Sequence, residues 1–152
     1  MRFLVDLMCG GIVSYLRMCG YDTAYAGERD LEEDDELRRV VDSEGRALVT
    51  RDVALSERAG GSILLTSRTV EGQLEELAAA GVDLTLAKEP VRCGRCNGSL
   101  VRVQPPSEEL ASEVPEYVPD GTQPIWRCRA CGQYFWKGSH WDDVRSTLSE
   151  ID

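Results

Sequence analysis

Short apolar runs alternate with stretches of helical periodicity along the first half of the chain. The runs are typical of buried strands, and the stretches between them repeat their apolar positions every three or four residues. The predicted strands cover residues 2–6, 21–26, 47–50 and 62–66, and the predicted helices cover residues 12–19, part of 27–45, 53–59 and 69–81. This alternation predicts an α/β fold with a mainly parallel sheet flanked by helices.

The pattern changes near residues 88–91. Glycine, arginine, proline and aromatic residues then predominate, and helical periodicity returns only at 141–151. We therefore predict an α/β domain over residues 1–88 and a smaller C-terminal domain over residues 89–152. Residues 105–124 are expected to loop out of the smaller domain.

The composition predicts a folded, soluble protein. Hydrophobic residues make up 42% of the 152 positions, which is enough for a core. No run approaches the roughly 18 apolar residues of a membrane helix, and the N-terminus lacks the layout of a signal peptide. We expect no membrane partner and a cytoplasmic location.

The net charge of −10 has two interpretations, and the basic residues are 15 arginines against only 2 lysines. An acidic, lysine-poor surface is typical of adaptation to high salt, whereas acidity in general disfavours contact with nucleic acid. Residues 1–90 carry 10 basic and 18 acidic side chains, and residues 91–152 carry 7 and 9. The acidity therefore belongs mostly to the first domain.

Four of the six cysteines form two Cys-x-x-Cys pairs, "CGRC" and "CRAC". They are Cys93 with Cys96 and Cys128 with Cys131. Each pair places two sulfurs on one side of a tight turn, and two turns complete a tetrahedral zinc site. Coincidental pairs or redox disulfides are the less favoured alternative. Four thiolates leave no open position, so the zinc would be structural.

Arginines and aromatic residues accompany the cysteine pairs. They are Arg92, Arg95, Arg127, Arg129, Trp126, Tyr134, Phe135, Trp136, His140 and Trp141. Cations beside stackable rings suit single-stranded RNA, but the rings could equally build the core of a small ribbon while the arginines offset thiolate charge. His140 is expected to be a structural hydrogen-bonding residue, because the zinc set is complete without it.

Several carboxylates stand where predicted strands end or helices begin. Asp6 ends the first predicted strand, Asp52 comes just after the third, and Asp34 and Asp35 open a helix. Each has a local alternative, as a helix cap or in an Asx turn. Together they could converge at one sheet edge, where clustered carboxylates need a cation such as Mg²⁺ or Mn²⁺.

Four segments together resemble the mut-seven C-terminal RNase domain family of PIN-like nucleases. They are "FLVDLMCGGIVSYLRMCGYDTAY", "DDELRRVVDSEGRALVTRD", the paired "CGRC" and "CRAC", and "YFWKGSHWDDVRSTL". The resemblance extends from Arg2 to Leu148. It implies a PIN-like sheet followed by a zinc ribbon, and metal-dependent ribonuclease activity.

The resemblance also implies roles for individual residues. Asp6 and Asp52 match catalytic acids that hold Mg²⁺ or Mn²⁺, with Thr50 as a supporting hydroxyl. The third acid is Asp34 or Asp35, and we slightly favour Asp35. Ser56 is the one candidate for a fourth polar position.

Two other functions remain open. A non-catalytic adaptor would contact RNA, or ribosome-associated proteins, through the ribbon. A toxin nuclease would require an antitoxin partner.

Overall fold

A parallel four-stranded sheet forms the centre of the larger part of the protein. The computed structural model describes residues 1–103 and 124–151. The strands are β1 (Arg2–Val5), β2 (Asp22–Tyr25), β3 (Ala47–Thr50) and β4 (Ile63–Leu64). Their order is β2-β1-β3-β4, and every neighbouring pair is parallel. The prediction of a mainly parallel sheet is confirmed.

Helices connect and cover the strands. A 3-10 segment, Leu7–Ile12, leads into the first α-helix. The α-helices are α1 (Val13–Met18), α2 (Asp34–Glu44), α3 (Val53–Arg58), α4 (Val70–Ala79) and, near the end of the chain, α5 (Ser139–Ser149). α2 ends at Gly45, whose φ of 63° is the left-handed conformation that glycine adopts at little cost. None of the described helices is long and apolar enough to cross a membrane.

Alternate residues of the central strands pack into two hydrophobic layers, one on each face of the sheet. Phe3 and Val5 of β1 lie in one cluster, together with apolar residues of α1, α4 and α5. Leu4 lies in the other, with Leu37 of α2 and Leu55 of α3. Since successive strand side chains point to opposite faces, both faces of the sheet are buried, and this explains the continuous apolar runs of β1 and β3.

A second, antiparallel sheet carries the cysteine pairs. Its strands are β5 (Leu100–Val103), β6 (Ile125–Cys128) and β7 (Tyr134–Phe135), in the order β5-β6-β7. The sheet with its two cysteine turns is compatible with the predicted zinc ribbon. The predicted loop over 105–124 lies outside the described residues apart from Pro124.

The C-terminal helix packs on the large sheet. Val144 and Leu148 of α5 belong to the same buried cluster as Phe3 and Val5. The domain boundary at residue 88 remains a prediction, although α5 contributes Val144 and Leu148 to the core of the first part.

Several element boundaries differ from the sequence prediction by one or two residues, and β4 and α1 are two examples. The fourth strand, predicted over 62–66, forms ladder pairs only at Ile63 and Leu64. The helix predicted over 12–19 is α-helical only from Val13 to Met18. The preceding 3-10 turns include Gly10 and Gly11, for which the α-helical conformation is unfavourable.

Candidate active site and metal centre

A buried hydrogen-bonded chain links Asp6 to Asp52 through Thr50. Asp6 follows β1 directly and is only 7% exposed, while Thr50 ends the neighbouring strand β3. The Thr50 hydroxyl donates to Asp6 Oδ2 at 2.6 Å and accepts from the backbone N–H of Asp52 at 3.0 Å. The carboxyl ends of two adjacent parallel strands thus bring both predicted acids to one sheet edge.

Both acids also make the local bonds that the alternative interpretation expects. Asp6 Oδ1 accepts from the Leu7 N–H at 2.8 Å, at the start of the 3-10 segment. Asp52 is the N-cap of α3, and its Oδ1 accepts from the Leu55 N–H at 3.1 Å. A carboxylate has about four acceptor positions, so one capping bond does not use up its capacity to bind a cation.

Asp34 and Asp35 lie in the first turn of α2, where negative charge is favourable. Neither is the N-cap, since that position is Glu33, which makes no side-chain capping bond. Capping by this doublet was therefore a wrong alternative.

Each member of the doublet lies near an arginine. Asp34 Oδ2 is 3.7 Å from Arg58 at the end of α3, and Asp35 Oδ1, on a side chain 80% exposed, is 4.0 Å from Arg38. These contacts join the doublet to neither Asp6 nor Asp52.

Glu76 is a carboxylate near the same sheet edge that the sequence analysis did not single out. It accepts from the backbone N–H groups of Thr66 and Ser67, which follow β4, at 2.7 and 2.6 Å. Burial opposes its ionisation, but these bonds, the Thr66 hydroxyl and the charge of Arg51 outweigh burial and lower the pKa of Glu76. The amphipathic pattern of its helix does not indicate that Glu76 would contact the residues after β4.

Arg51 lies between these groups. Its charge acts on both Glu76 and Cys9, and burial, followed by the charge of Asp6, raises the pKa of the Cys9 thiol to about 11. The Nε of Arg51 is buried and has no hydrogen-bond partner in the part of the chain that the structure describes. The edge therefore combines two linked carboxylates with a cation.

Ser56, the candidate for a fourth polar position, is hydrogen-bonded to the turn before β4. Its hydroxyl lies 2.7 Å from that of Ser62, and the Ser62 hydroxyl donates to the Ser56 carbonyl at 2.8 Å. These contacts connect α3 to the following turn.

The four cysteines converge as predicted, with all four sulfurs within 4.8 Å of one another. Cys93 and Cys131 have Sγ atoms 3.7 Å apart, and Cys96 and Cys128 have theirs 3.5 Å apart. A disulfide requires about 2.05 Å, whereas thiolates around tetrahedral zinc lie about 3.8 Å apart. The donor set and spacing fit zinc. His140 is not part of this cluster and is exposed.

Backbone geometry shapes both cysteine turns. The residue after each second cysteine is left-handed, with φ of 72° at Asn97 and 79° at Gly132. A Cβ on Gly98 would lie only 2.7 Å from the Cys128 sulfur, so the close approach of the two turns requires glycine there.

The thiols have contrasting acidities. Burial is the main cause that raises the pKa of Cys93 to about 12. Burial also opposes the Cys128 thiolate, but bonds from the N–H groups of Cys131 and Ala130 and from neighbouring thiols lower its pKa to about 7.

The arginines and aromatic residues divide between the two predicted roles. Trp126 of β6 is 4% exposed, as expected of a ribbon core, and Trp141 of α5 is equally buried. Arg127 stacks over Tyr134, with 5.8 Å between the guanidinium carbon and the ring centroid. The half-buried rings of β7 and Trp136 instead line a pocket together with Arg92 and Arg95.

The comparisons with known proteins place the chain in a family. No curated protein and no solved structure matches it. The family model of the Mut7-C RNAse domain matches residues 1–148, nearly the whole chain, and suggests a nuclease-like function. The chain therefore belongs to the Mut7-C RNAse domain family, as its sequence motifs indicated.

Proposed function

We propose that this protein is a metal-dependent ribonuclease that hydrolyses RNA phosphodiester bonds at the edge formed by Asp6, Thr50 and Asp52. The observation that carries the proposal is the Thr50 hydroxyl, which joins the Asp6 carboxylate to the backbone of Asp52. Family membership supports a nuclease-like activity. The carboxyl edge of a parallel sheet is also where α/β proteins commonly place their sites.

The oxygen donors of Asp6 and Asp52 fit Mg²⁺ or Mn²⁺. Such an ion would activate water and stabilise charge on the phosphate. Asp34 or Asp35 is the proposed third acid, and it would exchange its contact with Arg58 or Arg38 for this role.

The chain's own residues would prepare the site. Thr50, fully buried, holds one oxygen of Asp6 and fixes the start of α3. Arg51, whose buried Nε has no hydrogen-bond partner among the described residues, would orient the phosphate that is cleaved. The zinc held by the four cysteines would be structural, and the ribbon would supply contact with RNA or a protein partner.

The test is cleavage of a labelled single-stranded RNA with added Mg²⁺ or Mn²⁺, at low and molar salt. The wild type is compared with Asp6→Asn and Asp52→Asn, which keep the shape of the side chain and an acceptor oxygen for the caps. Asp42→Asn, at an exposed position of α2, is the matched control. We expect cleavage to be lost in the two edge variants alone, with folding intact in all four proteins.

The adaptor hypothesis gives the opposite result. RNA binding without metal-dependent cleavage in any condition, unaffected by Asp6→Asn or Asp52→Asn, would refute the nuclease. The adaptor then predicts that replacing Trp126 or Arg127 abolishes function.

A further inference from the structure

A pocket of about 500 Å³ lies between α1, the cysteine turns and the start of α5. Ser14 and Met18 of α1 form one side. Gly94 and Arg95, inside the first Cys-x-x-Cys turn, contribute another. This volume falls within the range of about 300–1,000 Å³ typical of small-ligand sites. It is a place where the ribbon and the large sheet's helices jointly form a cavity.

The lining is aromatic and cationic. Its rings are Tyr134, Phe135, Trp136 and Trp141, and its guanidinium groups are Arg92 and Arg95. No carboxylate is among the lining residues, although the chain carries 27 acidic residues. In a protein of net charge −10, such a lining favours an anionic ligand with a flat, apolar part.

Arg95 is available to such a ligand. Its side chain is exposed, and its guanidinium group donates to the neutral amide oxygen of Gln133 at 3.3 Å. Arg92, by contrast, lies 4.0 Å from the Asp22 carboxylate and is partly neutralised. Arg95 therefore presents the stronger positive charge at the pocket.

Trp141 adds an unsatisfied donor. Its side chain is 4% exposed, and its indole Nε1 has no hydrogen-bond partner in the described ranges 1–103 and 124–151. Buried indole N–H groups usually have an acceptor.

We propose that this pocket binds one unstacked nucleotide of single-stranded RNA, with the base against the aromatic lining and the phosphate on Arg95. The inference rests on the proposed function in that RNA is the substrate class. It adds a second contact on the ribbon side, separate from the edge formed by Asp6, Thr50 and Asp52. Stacking is insensitive to base identity, so this contact holds the unpaired strand without reading its sequence.

The test measures binding of a labelled single-stranded oligouridylate by fluorescence anisotropy, to the zinc-loaded chain without added Mg²⁺ or Mn²⁺. Arg95→Glu reverses the charge at the pocket, and Arg102→Glu makes the same change at an exposed position of β5 outside it. Tyr134→Leu removes a stackable ring, and Tyr134→Phe keeps it. Zinc content and near-ultraviolet circular dichroism verify that all four variants fold.

We expect Arg95→Glu and Tyr134→Leu each to weaken binding about tenfold. Arg102→Glu and Tyr134→Phe are expected to stay within about twofold of the wild type. Duplex RNA of the same length should compete poorly, because the pocket takes an unpaired base and the bases of a duplex are paired. Free uridine monophosphate should also compete poorly, because it lacks the continuous strand.

Equal losses in each variant and its control, equal binding of duplex RNA, or no RNA binding at all would overturn the inference. The complete absence of RNA binding is the result expected if the pocket binds only a protein partner. Because binding is measured without the catalytic cation, the pocket hypothesis and the nuclease hypothesis can be refuted separately. Variant-sensitive binding without cleavage refutes the nuclease alone, and cleavage with variant-insensitive binding refutes the pocket alone.

Discussion

Asn97, in the first cysteine turn, is bonded to Asp22, which lies 75 positions earlier on edge strand β2. Asn97 Nδ2 donates to Asp22 Oδ1 at 2.7 Å, and Asn97 Oδ1 accepts from the Thr23 backbone N–H at 2.9 Å. An edge strand exposes backbone groups that have no partner in the sheet. Here the amide side chain of Asn97 provides an acceptor for the Thr23 N–H and a donor for the Asp22 carboxylate. The turn that carries Cys93 and Cys96 is thus connected directly to the large sheet.

Replacing Asn97 by glycine should uncouple the turn from β2. Glycine tolerates the φ of 72° at this position, so only the two side-chain bonds are lost. We expect the free energy of unfolding to fall by about 1–3 kcal/mol, because the Thr23 N–H and the Asp22 carboxylate each lose a partner. Urea denaturation measures the loss.

Asp30→Gly is the matched control for this substitution. Asp30 also has positive φ, at 55°, but it lies in an exposed turn. Its replacement by glycine should leave stability unchanged or slightly higher. A similar loss in both variants would mean that the Asn97 bonds contribute nothing beyond backbone effects.

The cysteine cluster should bind one zinc ion per chain. Cys93→Ser and Cys128→Ser are expected to lose zinc, whereas Cys19→Ala, outside the cluster, should retain it. Because zinc binding is coupled to folding, the melting temperature of the wild type should fall when a chelator removes the metal. Elemental analysis and thermal melts test both points, and full zinc content in Cys93→Ser would refute the assignment.

Asp22 should contribute stability that is lost in acid. Partial burial opposes its ionisation, but hydrogen bonds from Asn97 and Arg46 and the charges of Arg46 and Arg92 outweigh burial and lower its pKa. A carboxyl with a lowered folded pKa stabilises the protein above its unfolded pKa, and the contribution disappears as pH falls through the folded value.

The stability difference between wild type and Asp22→Asn should therefore be full at neutral pH and shrink below about pH 4. Denaturation curves over that range measure it, with exposed Asp42→Asn as the control. A difference that stayed constant with pH would show that the ionised form of Asp22 is not preferentially stabilised.

Thr50→Val should disturb the acidic edge without changing the shape of the core. The substitution removes the donor to Asp6 and the acceptor for the Asp52 N–H at a fully buried position. We expect a loss of about 1–3 kcal/mol in the free energy of unfolding and a fall in RNA cleavage. Thr50→Ser keeps the hydroxyl and should restore most of the cleavage, and equal activity of Val and Ser variants would contradict a role for the hydroxyl.

The acidic, lysine-poor composition leads us to propose adaptation to high salt. Carboxylate repulsion in a chain of net charge −10 is screened by salt, so added KCl should raise the melting temperature. Thermal melts from low to molar KCl measure the effect. Full folding stability without added salt would undermine the proposal.

The parallel sheet and two of its acids could be predicted from sequence because their signals are local. The apolar run ending at Val5 and the run ending at Thr50 mark buried strands, and any residue that follows such strands lies at the carboxyl edge. Asp6 and Asp52 were found in this way. The spacing of the cysteine pairs is equally local and equally informative.

Other contacts depend on how elements pack, which the sequence pattern does not encode. The proximity of Asp34 to Arg58 follows from the placement of α2 beside the end of α3. Glu76 of α4 accepts from the N–H groups of Thr66 and Ser67, which follow β4, and this contact depends on where α4 lies relative to the sheet. Periodicity in α5 revealed an apolar face but not that the large sheet's core would cover it.

The position of α5 makes the ribbon an insertion rather than an appendage. The chain leaves the large sheet after α4, forms the cysteine turns and the small sheet, and then returns Val144 and Leu148 to the core that contains Phe3. A cut at any single peptide bond between residues 88 and 139 would therefore leave both fragments holding part of one hydrophobic core. Two connections, one at each end of the ribbon, restrict its rotation against the sheet, so metal binding in the ribbon and folding of the sheet should occur as one cooperative transition.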